Sequence, residues 1–235
     1  TVIMAGMLLI AILISDDAGG VAHVVSHAQA SGKLKFFPSG GWDVWIPFIG
    51  MALTMMLGSI PQQDVFQRMT SAKDEKTAVR GTVLGGSLYF LFAFVPMFLA
   101  YAATLIDPKF FTDLIQTDSQ MVLPRLVLDH TPLVAQVLFF GALLSAIMST
   151  ASATLLAPSV MFTENILKHF ALKHMSDSQM LRIMRIIVLT FGGIVLWFAM
   201  NSESSIFEMV GNAYKVTLVG AFVPLAFGLY WKRAN

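Results

Sequence analysis

The residues best suited to chemistry form a dense run of hydroxyl and small side chains inside an apolar stretch. Ala146, Ser149 and Thr150 stand at positions i, i+3 and i+4, so a helix would place them on one face. Two hydroxyl oxygens and one backbone carbonyl could then converge on a small hard cation, which takes oxygen ligands in place of water. Close helix packing is the alternative, because small residues also recur along this stretch. They are Gly141, Ser145, Ser149 and Ser152.

A second candidate is the segment Gly58–Asp64, where glycine and proline interrupt another apolar stretch. Both residue types free backbone groups, which in a membrane must be satisfied by protein, water or a ligand, so broken helices there usually line a cavity. Ser59, Gln62 and Gln63 would then present hydroxyl and amide groups to a polar solute. The alternative is a helix that simply ends at Ile60, with the glutamines at the membrane interface.

The composition predicts a protein surrounded by lipid. Hydrophobic residues make up 56% of the 235 residues and charged residues only 12%, whereas about a quarter of the residues of a soluble domain are charged. The 15 basic and 14 acidic residues nearly cancel, and no basic cluster is interleaved with aromatic residues, so nucleic-acid binding is not expected. An enzyme is not expected either, because the sequence has 0 Cys and no GxSxG, phosphate-binding glycine or paired-carboxylate motif.

Six continuous apolar stretches predict six helices, and the absence of period-two alternation argues against a membrane barrel. They are Val2 to Ile14, Val44 to Ile60, Val83 to Ile106, Leu133 to Val160, Ile186 to Met200 and Val216 to Trp231. The first stretch is shorter than a full span and lacks the flanking signals of a signal peptide. It is interpreted as the second half of a helix whose first half precedes Thr1.

The basic residues predict the orientation of these helices. Ten Lys and Arg residues fall in one set of alternate connections and four in the other. By the positive-inside rule, the connections at residues 15–43, 107–132 and 201–215 face outward. The connection at 107–132 is expected either to lie against the bundle as a short lid or to form an interfacial helix. Asp64, Arg68 and the run from Lys73 to Arg80 are expected to form a solvated cytoplasmic turn.

Three segments form a specific combination: Ile60–Lys73 (IPQQDVFQRMTSAK), Ala146–Thr150 (AIMST) and Met161–Ile166 (MFTENI). Together they resemble the sodium:solute symporter family, and the similarity extends along essentially the whole chain. The resemblance implies an all-α, polytopic transmembrane helical bundle with part of a LeuT-type inverted-repeat fold. Residues 1–235 would form a single transmembrane domain, incomplete at its N-terminus, from the end of core helix five to core helix ten.

The resemblance also implies a sodium site. In the family, the carbonyl that matches Ala146 and the hydroxyls that match Ser149 and Thr150 help to bind the coupling sodium ion, together with groups on the first core helix. Some members bind a second sodium ion with a pair of serines one turn further on. Ser152 matches the first serine of that pair and Ala153 does not match the second.

The function implied by the resemblance is sodium-coupled symport of a small organic solute across the cytoplasmic membrane. The solute is expected near the midplane of the bilayer, at the broken helix and its residues Ser59, Gln62 and Gln63. Within the family, the IPxxxxFQR pattern is most similar to the choline transporters, which carry tryptophan at the position of Gln62. Without that ring a quaternary ammonium loses a cation–π surface, so choline is not expected. The alternative is a symporter-like sensory membrane domain of a histidine kinase.

Overall fold

The computed structural model describes residues 2–62, 69–168 and 176–233, and these residues are almost entirely helical. The helices are α1 (Val2–Asp17), α2 (Val21–Ala30), α3 (Trp42–Gly58), α4 (Glu75–Phe92), α5 (Phe94–Ile106), α6 (Pro108–Asp118), α7 (Val122–His130), α8 (Leu133–Phe162), α9 (Asp177–Met200), α10 (Ile206–Thr217) and α11 (Val223–Tyr230). A 3₁₀ turn covers Ser119–Met121, and π-helical turns cover Thr163–Leu167 and Leu218–Phe222. These ranges contain no strand, so the expected all-α architecture is confirmed.

Several helical stretches are suited to a bilayer. Four of them are long and apolar enough to cross a membrane: Glu75–Ile106, Leu133–Leu167, Asp177–Met200 and Ile206–Tyr230. Helices α1 and α2 together make a fifth candidate, bent by 78°, whereas α3 with 17 residues is shorter. Large apolar side chains on these stretches are widely exposed, which lipid accommodates and water does not. The chain is therefore a multi-pass integral membrane protein.

Helix α4 begins with a side-chain cap. The Asp74 carboxylate accepts a hydrogen bond of 2.7 Å from the backbone N–H of Thr77, and this bond, reinforced by the Thr77 side chain, lowers the pKa of Asp74 below its ordinary value. A carboxylate at this position satisfies one of the N–H groups that a helix start leaves unpaired. The expectation of a cytoplasmic turn that runs to Arg80 is therefore wrong, because helix begins at Glu75. Residues 63–68 lie outside the described residues.

Helix α10 also begins earlier than its hydropathy predicts. Ser205 and Glu208 form a capping box, in which the Ser205 hydroxyl accepts from the N–H of Glu208 and the Glu208 carboxylate accepts from the N–H of Ser205 at 2.9 Å. The expected connection at 201–215 is therefore wrong over most of its length, since Ile206 is already helical.

The apolar path from α4 to α5 contains a break at Ala93. Pro96 accounts for it, because its ring has no N–H to donate and crowds the carbonyl four residues earlier, at Phe92. Helix α4 ends at that residue.

The contacts divide the chain into two compact units. The first comprises Thr1–Thr54 and Ser71–Ala146, and the second comprises Met55–Thr70 and Ile147–Asn235. That the chain forms a single transmembrane domain stays a prediction.

The core of the first unit lies where α1, α5, α6 and α7 meet. Its side chains come from all four helices: Ile14, Leu99, Phe111 and Leu126 are each at most 1% exposed. The segment at 107–132 therefore packs against the helices of its unit. The lid and the interfacial helix both stay predictions. The connection at 15–43 contains a helix that hydropathy did not predict, α2.

Two packing contacts of the second unit involve α8 and α3. Phe162 of α8 and Phe191 of α9 meet edge to face, with ring centroids 5.6 Å apart. The end of α3 lies against α10, where Met55 and Gly58 approach Gly211 and Tyr214.

Candidate cation and solute site

The hydroxyl groups along α8 fall into two classes. Thr154 donates to the carbonyl of Thr150 at 2.9 Å, and Ser159 donates to that of Leu155 at 2.6 Å. In a helix a Ser or Thr hydroxyl commonly donates in this way to the carbonyl four residues earlier. The side chains of Ser149 and Thr150 are exposed, and within the described parts of the chain their hydroxyls have no hydrogen-bond partner. Ser145, one turn before Ser149, is likewise exposed and unpaired among these residues.

The predicted cation ligands lie on one turn of α8, as their spacing requires. Ser149 and Thr150 lie three and four residues after Ala146 and share its face, and both of their hydroxyls are unpaired among the described residues. Uncharged oxygens of this kind suit an alkali cation. A transition-metal site has no such support, because no group of three His, Cys, Asp or Glu side chains converges among the residues with described positions.

Ser152 differs from this pair. Its hydroxyl donates to the carbonyl of Met148 at 2.8 Å, so it is already hydrogen-bonded within α8. At about 100° per residue, Ala153 and not Ser152 lies in line with Ala146 on the helix. A role for Ser152 in a second sodium site stays a prediction.

The predicted break follows directly after α3, which ends at Gly58. Ser59, Ile60 and Pro61 form a turn, and the Ser59 hydroxyl donates to the carbonyl of Met56 at 2.9 Å. Gln62 comes next and is half-buried. Gln63 lies outside the described residues, and helical conformation is present again at 69–70. The structure thus brings Ser59 and Gln62 together at a helix end, where backbone groups lack helical partners.

One contact at this break was not expected from the sequence. The carbonyl of Gly58 accepts a hydrogen bond of 2.7 Å from the hydroxyl of Thr217, the last residue of α10. The backbone of Tyr214 lies so close that a Cβ atom added to Gly58 would collide with its carbonyl oxygen. The sequence predicted a break at Gly58, but nothing in the sequence predicts its contact with Thr217.

An apolar cavity lies elsewhere, in the first unit. It has a volume of about 510 Å³, is lined mainly by apolar side chains of α2 and α5, and has Lys33 and Lys35 among its lining residues. None of the predicted site residues lines it.

A multi-pass helical protein with uncharged hydrogen-bonding groups at one helix end and along a second helix has features found in secondary transporters. The comparison with known families agrees with this class: the model of the sodium:solute symporter family matches residues 1–235. The chain belongs to the sodium:solute symporter family.

Individual relatives are similar over long stretches. The osmoregulated proline transporter OpuE of Bacillus subtilis is 26% identical over 237 residues, which cover 100% of this chain and 47% of that protein. The sodium/pantothenate symporter of Escherichia coli is 26% identical over 237 residues, covering 100% of this chain and 48% of that symporter. The high-affinity choline transporter 1 of Torpedo marmorata is 33% identical over 165 residues, covering 65% and 27%. The chain spans about half or less of the length of these curated relatives.

Proposed function

We propose that the full-length protein is a sodium-coupled symporter that carries a small polar organic solute across the cytoplasmic membrane. The observation that carries the proposal is the pair of unpaired hydroxyls at Ser149 and Thr150 on one face of α8. A hydroxyl on a membrane helix ordinarily donates to a carbonyl of its own helix, as Ser152 does. Two adjacent hydroxyls that do not are available as ligands, and sodium takes such oxygens together with a backbone carbonyl, here that of Ala146.

Sodium binding at this face would drive transport by stabilising one conformation over another. A ligand shifts a conformational equilibrium only by its difference in affinity for the two states. Sodium would favour the conformation that is open to the side of high sodium concentration and that binds the solute tightly. Its loss on the other side would then release the solute.

The solute would bind at the break, against Ser59, Gln62 and Gln63. The described part of this segment, residues 59–62, contains hydroxyl and amide groups and no charged side chain. Such groups, with the backbone freed by the break, suit a solute that both donates and accepts hydrogen bonds. Proline and pantothenate, after which two of the relatives are named, meet this description. Choline is not proposed, because Gln62 offers no aromatic face to a quaternary ammonium.

The sensory alternative has no observation in its favour. The three relatives described above are named as transporters or as a symporter.

Substitution of Thr150 by valine in the full-length protein tests the proposal. Valine keeps the branched shape and removes the oxygen, so the affinity for ²²Na⁺ should fall about tenfold or more, a loss of at least about 1.4 kcal/mol. The matched control is Thr190→Val on α9, an exposed threonine whose hydroxyl donates to the carbonyl of its own helix at Ile186. The readout is equilibrium ²²Na⁺ binding to purified protein, which requires no knowledge of the solute. Unchanged sodium binding by Thr150→Val would refute the assignment.

Uptake into proteoliposomes then tests the coupling. With [³H]proline and [³H]pantothenate as first probes, an inward sodium gradient should accelerate uptake and a potassium gradient should not. Uptake that is equally fast without sodium would contradict symport even if a solute is carried.

A further inference from the structure

The end of α3 is fixed by a side chain 159 residues further along the chain, Thr217. Gly58 is buried, its carbonyl accepts from the Thr217 hydroxyl at 2.7 Å, and the backbones are close enough that the Tyr214 Cβ would lie 3.2 Å from a Cβ at Gly58. Only a glycine permits this approach. The contact is therefore a specific junction between two helices of the second unit.

The junction serves a carbonyl that the helix itself cannot satisfy. The last four carbonyls of an α-helix have no N–H partner within the helix, and Gly58 is the last residue of α3. Within a membrane the missing partner must come from the protein, from water in a cavity or from a ligand. The Thr217 hydroxyl meets this need at the residue that immediately precedes Ser59. It therefore holds the backbone at the last residue of α3, directly before the turn.

The Thr217 hydroxyl has other hydrogen-bond acceptors besides the Gly58 carbonyl. Its hydroxyl has one hydrogen to donate and also lies 3.1 Å from the carbonyl of Tyr214 and 3.3 Å from that of Ala213, both in α10. Other threonines of the chain, such as Thr82 and Thr190, donate only to their own helix. Loss of the bond to Gly58 would leave the threonine satisfied and α10 intact, and would release the end of α3.

The residues after Thr217 add to this picture. Leu218–Phe222 is a π-helical turn, a geometry that occurs mostly as single turns and frequently at functional sites. The hydrogen bond to Gly58 is thus made at the last residue before the helix changes its winding.

We propose that Thr217 is a positioning residue for the solute site: by holding the Gly58 carbonyl, it sets the geometry in which Ser59 and Gln62 meet the solute. This inference rests on the proposed function, in which the break binds the solute. Thr217 itself does not touch the solute. Removal of its hydroxyl should therefore loosen the break without affecting sodium ligands on α8.

The test labels the break directly and needs no identified solute. Gln62→Cys is introduced into the full-length protein with any other cysteines replaced, and its rate of reaction with N-ethylmaleimide is measured. Thr217→Val should change this rate by between about threefold and about twentyfold, the range expected for loss of one hydrogen bond between membrane helices. Thr217→Ser, which keeps the hydroxyl, should restore the rate of the parent. The control Thr82→Val, which removes a hydroxyl bonded only within α4, should leave it unchanged.

A second pair of variants tests the proposal even if Thr217→Val folds poorly. Thr217→Ser and Thr217→Ala differ only in the hydroxyl group, so a labelling rate that is the same in both would overturn the proposal, as would an unchanged rate in Thr217→Val. ²²Na⁺ binding separates this proposal from the proposed function, since Thr217→Val should bind sodium like the parent. If the parent binds no sodium, the proposed function fails, whereas the labelling result still decides the role of Thr217. If Thr217→Val loses sodium binding, the role assigned here is overturned.

Discussion

The junction between α3 and α10 makes a quantitative prediction about two glycines. Gly58→Ala places a methyl group against the backbone carbonyl of Tyr214, which cannot rotate away as the end of a side chain would. At Gly211, on the opposite side of the same junction, an added Cβ would meet only the terminal methyl of Met55, at 3.8 Å, an ordinary van der Waals distance. Gly211→Ala is therefore the matched control.

The magnitude follows from three contributions. Neither glycine has a positive φ. An alanine in a helix interior is favoured over glycine by up to about 1 kcal/mol, a gain that applies in full at Gly211 and less at Gly58, the last residue of α3, so it does not reduce the difference between the variants. Overpacking costs about 1 to 3 kcal/mol and applies only at Gly58. Weakening of the hydrogen bond from Thr217 adds about 0.6 kcal/mol. Gly58→Ala should thus be less stable than Gly211→Ala by about 2 to 4 kcal/mol.

Thermal unfolding of the purified full-length variants measures this difference. At about 1 °C per kcal/mol for a protein of roughly twice this length, as in the relatives, the Tm of Gly58→Ala should lie about 2 to 4 °C below that of Gly211→Ala. Gly211→Ala should match the parent or exceed it slightly. Equal Tm values for the two variants would show that α3 and α10 are not in close contact, and the role assigned to Thr217 would lose its structural basis.

Two further predictions concern the rest of the chain. Phe111 is 0% exposed, whereas its neighbour Phe110 is 43% exposed. Phe111→Ala should therefore lower the free energy of unfolding by about 3 to 5 kcal/mol, and Phe110→Ala should lower it far less. Thermal unfolding of the two variants measures the difference. Because its capping bond lowers the pKa of Asp74, the carboxylate contributes stability above the ordinary aspartate pKa and loses it as the pH falls through the lowered value. On acidification the parent should therefore lose stability relative to Asp74→Asn, which caps without titrating; parallel Tm values across this range would contradict the capping role.

The sequence predicted the helices whose residues are apolar throughout. The stretches from Val44 and from Leu133 correspond to α3 and α8, with starts within two residues of the observed ones. Hydropathy failed where a helix carries polar residues: the first turns of α10 contain Glu208 and Asn212 and are mildly apolar on average, so only its continuation was predicted. The capping box at Ser205 was visible in the sequence and would have corrected the boundary.

The candidate site was predictable to the extent that it depends on local spacing. Ser149 and Thr150 share a face with Ala146 because they follow it by three and four residues on one helix. Ser59 and Gln62 are close because they lie in one turn. The support of that turn by Thr217 was not predictable, since a single threonine in an apolar helix does not indicate which distant carbonyl it meets. Contacts of this kind depend on how helices pack, and no local pattern encodes them.

The hydroxyl groups of the membrane helices can be separated by what each one does with its hydrogen. Most, like that of Thr190, donate to a carbonyl of their own helix and are thereby satisfied without a ligand or a partner helix. That of Thr217 reaches a second helix while keeping acceptors in its own, so it can support the break without being essential to its own helix. Those of Ser149 and Thr150 do neither within the described residues, although a hydroxyl without a partner in an apolar environment is costly. In the proposed function a sodium ion takes these two oxygens as ligands, and the Thr150→Val variant tests whether it does.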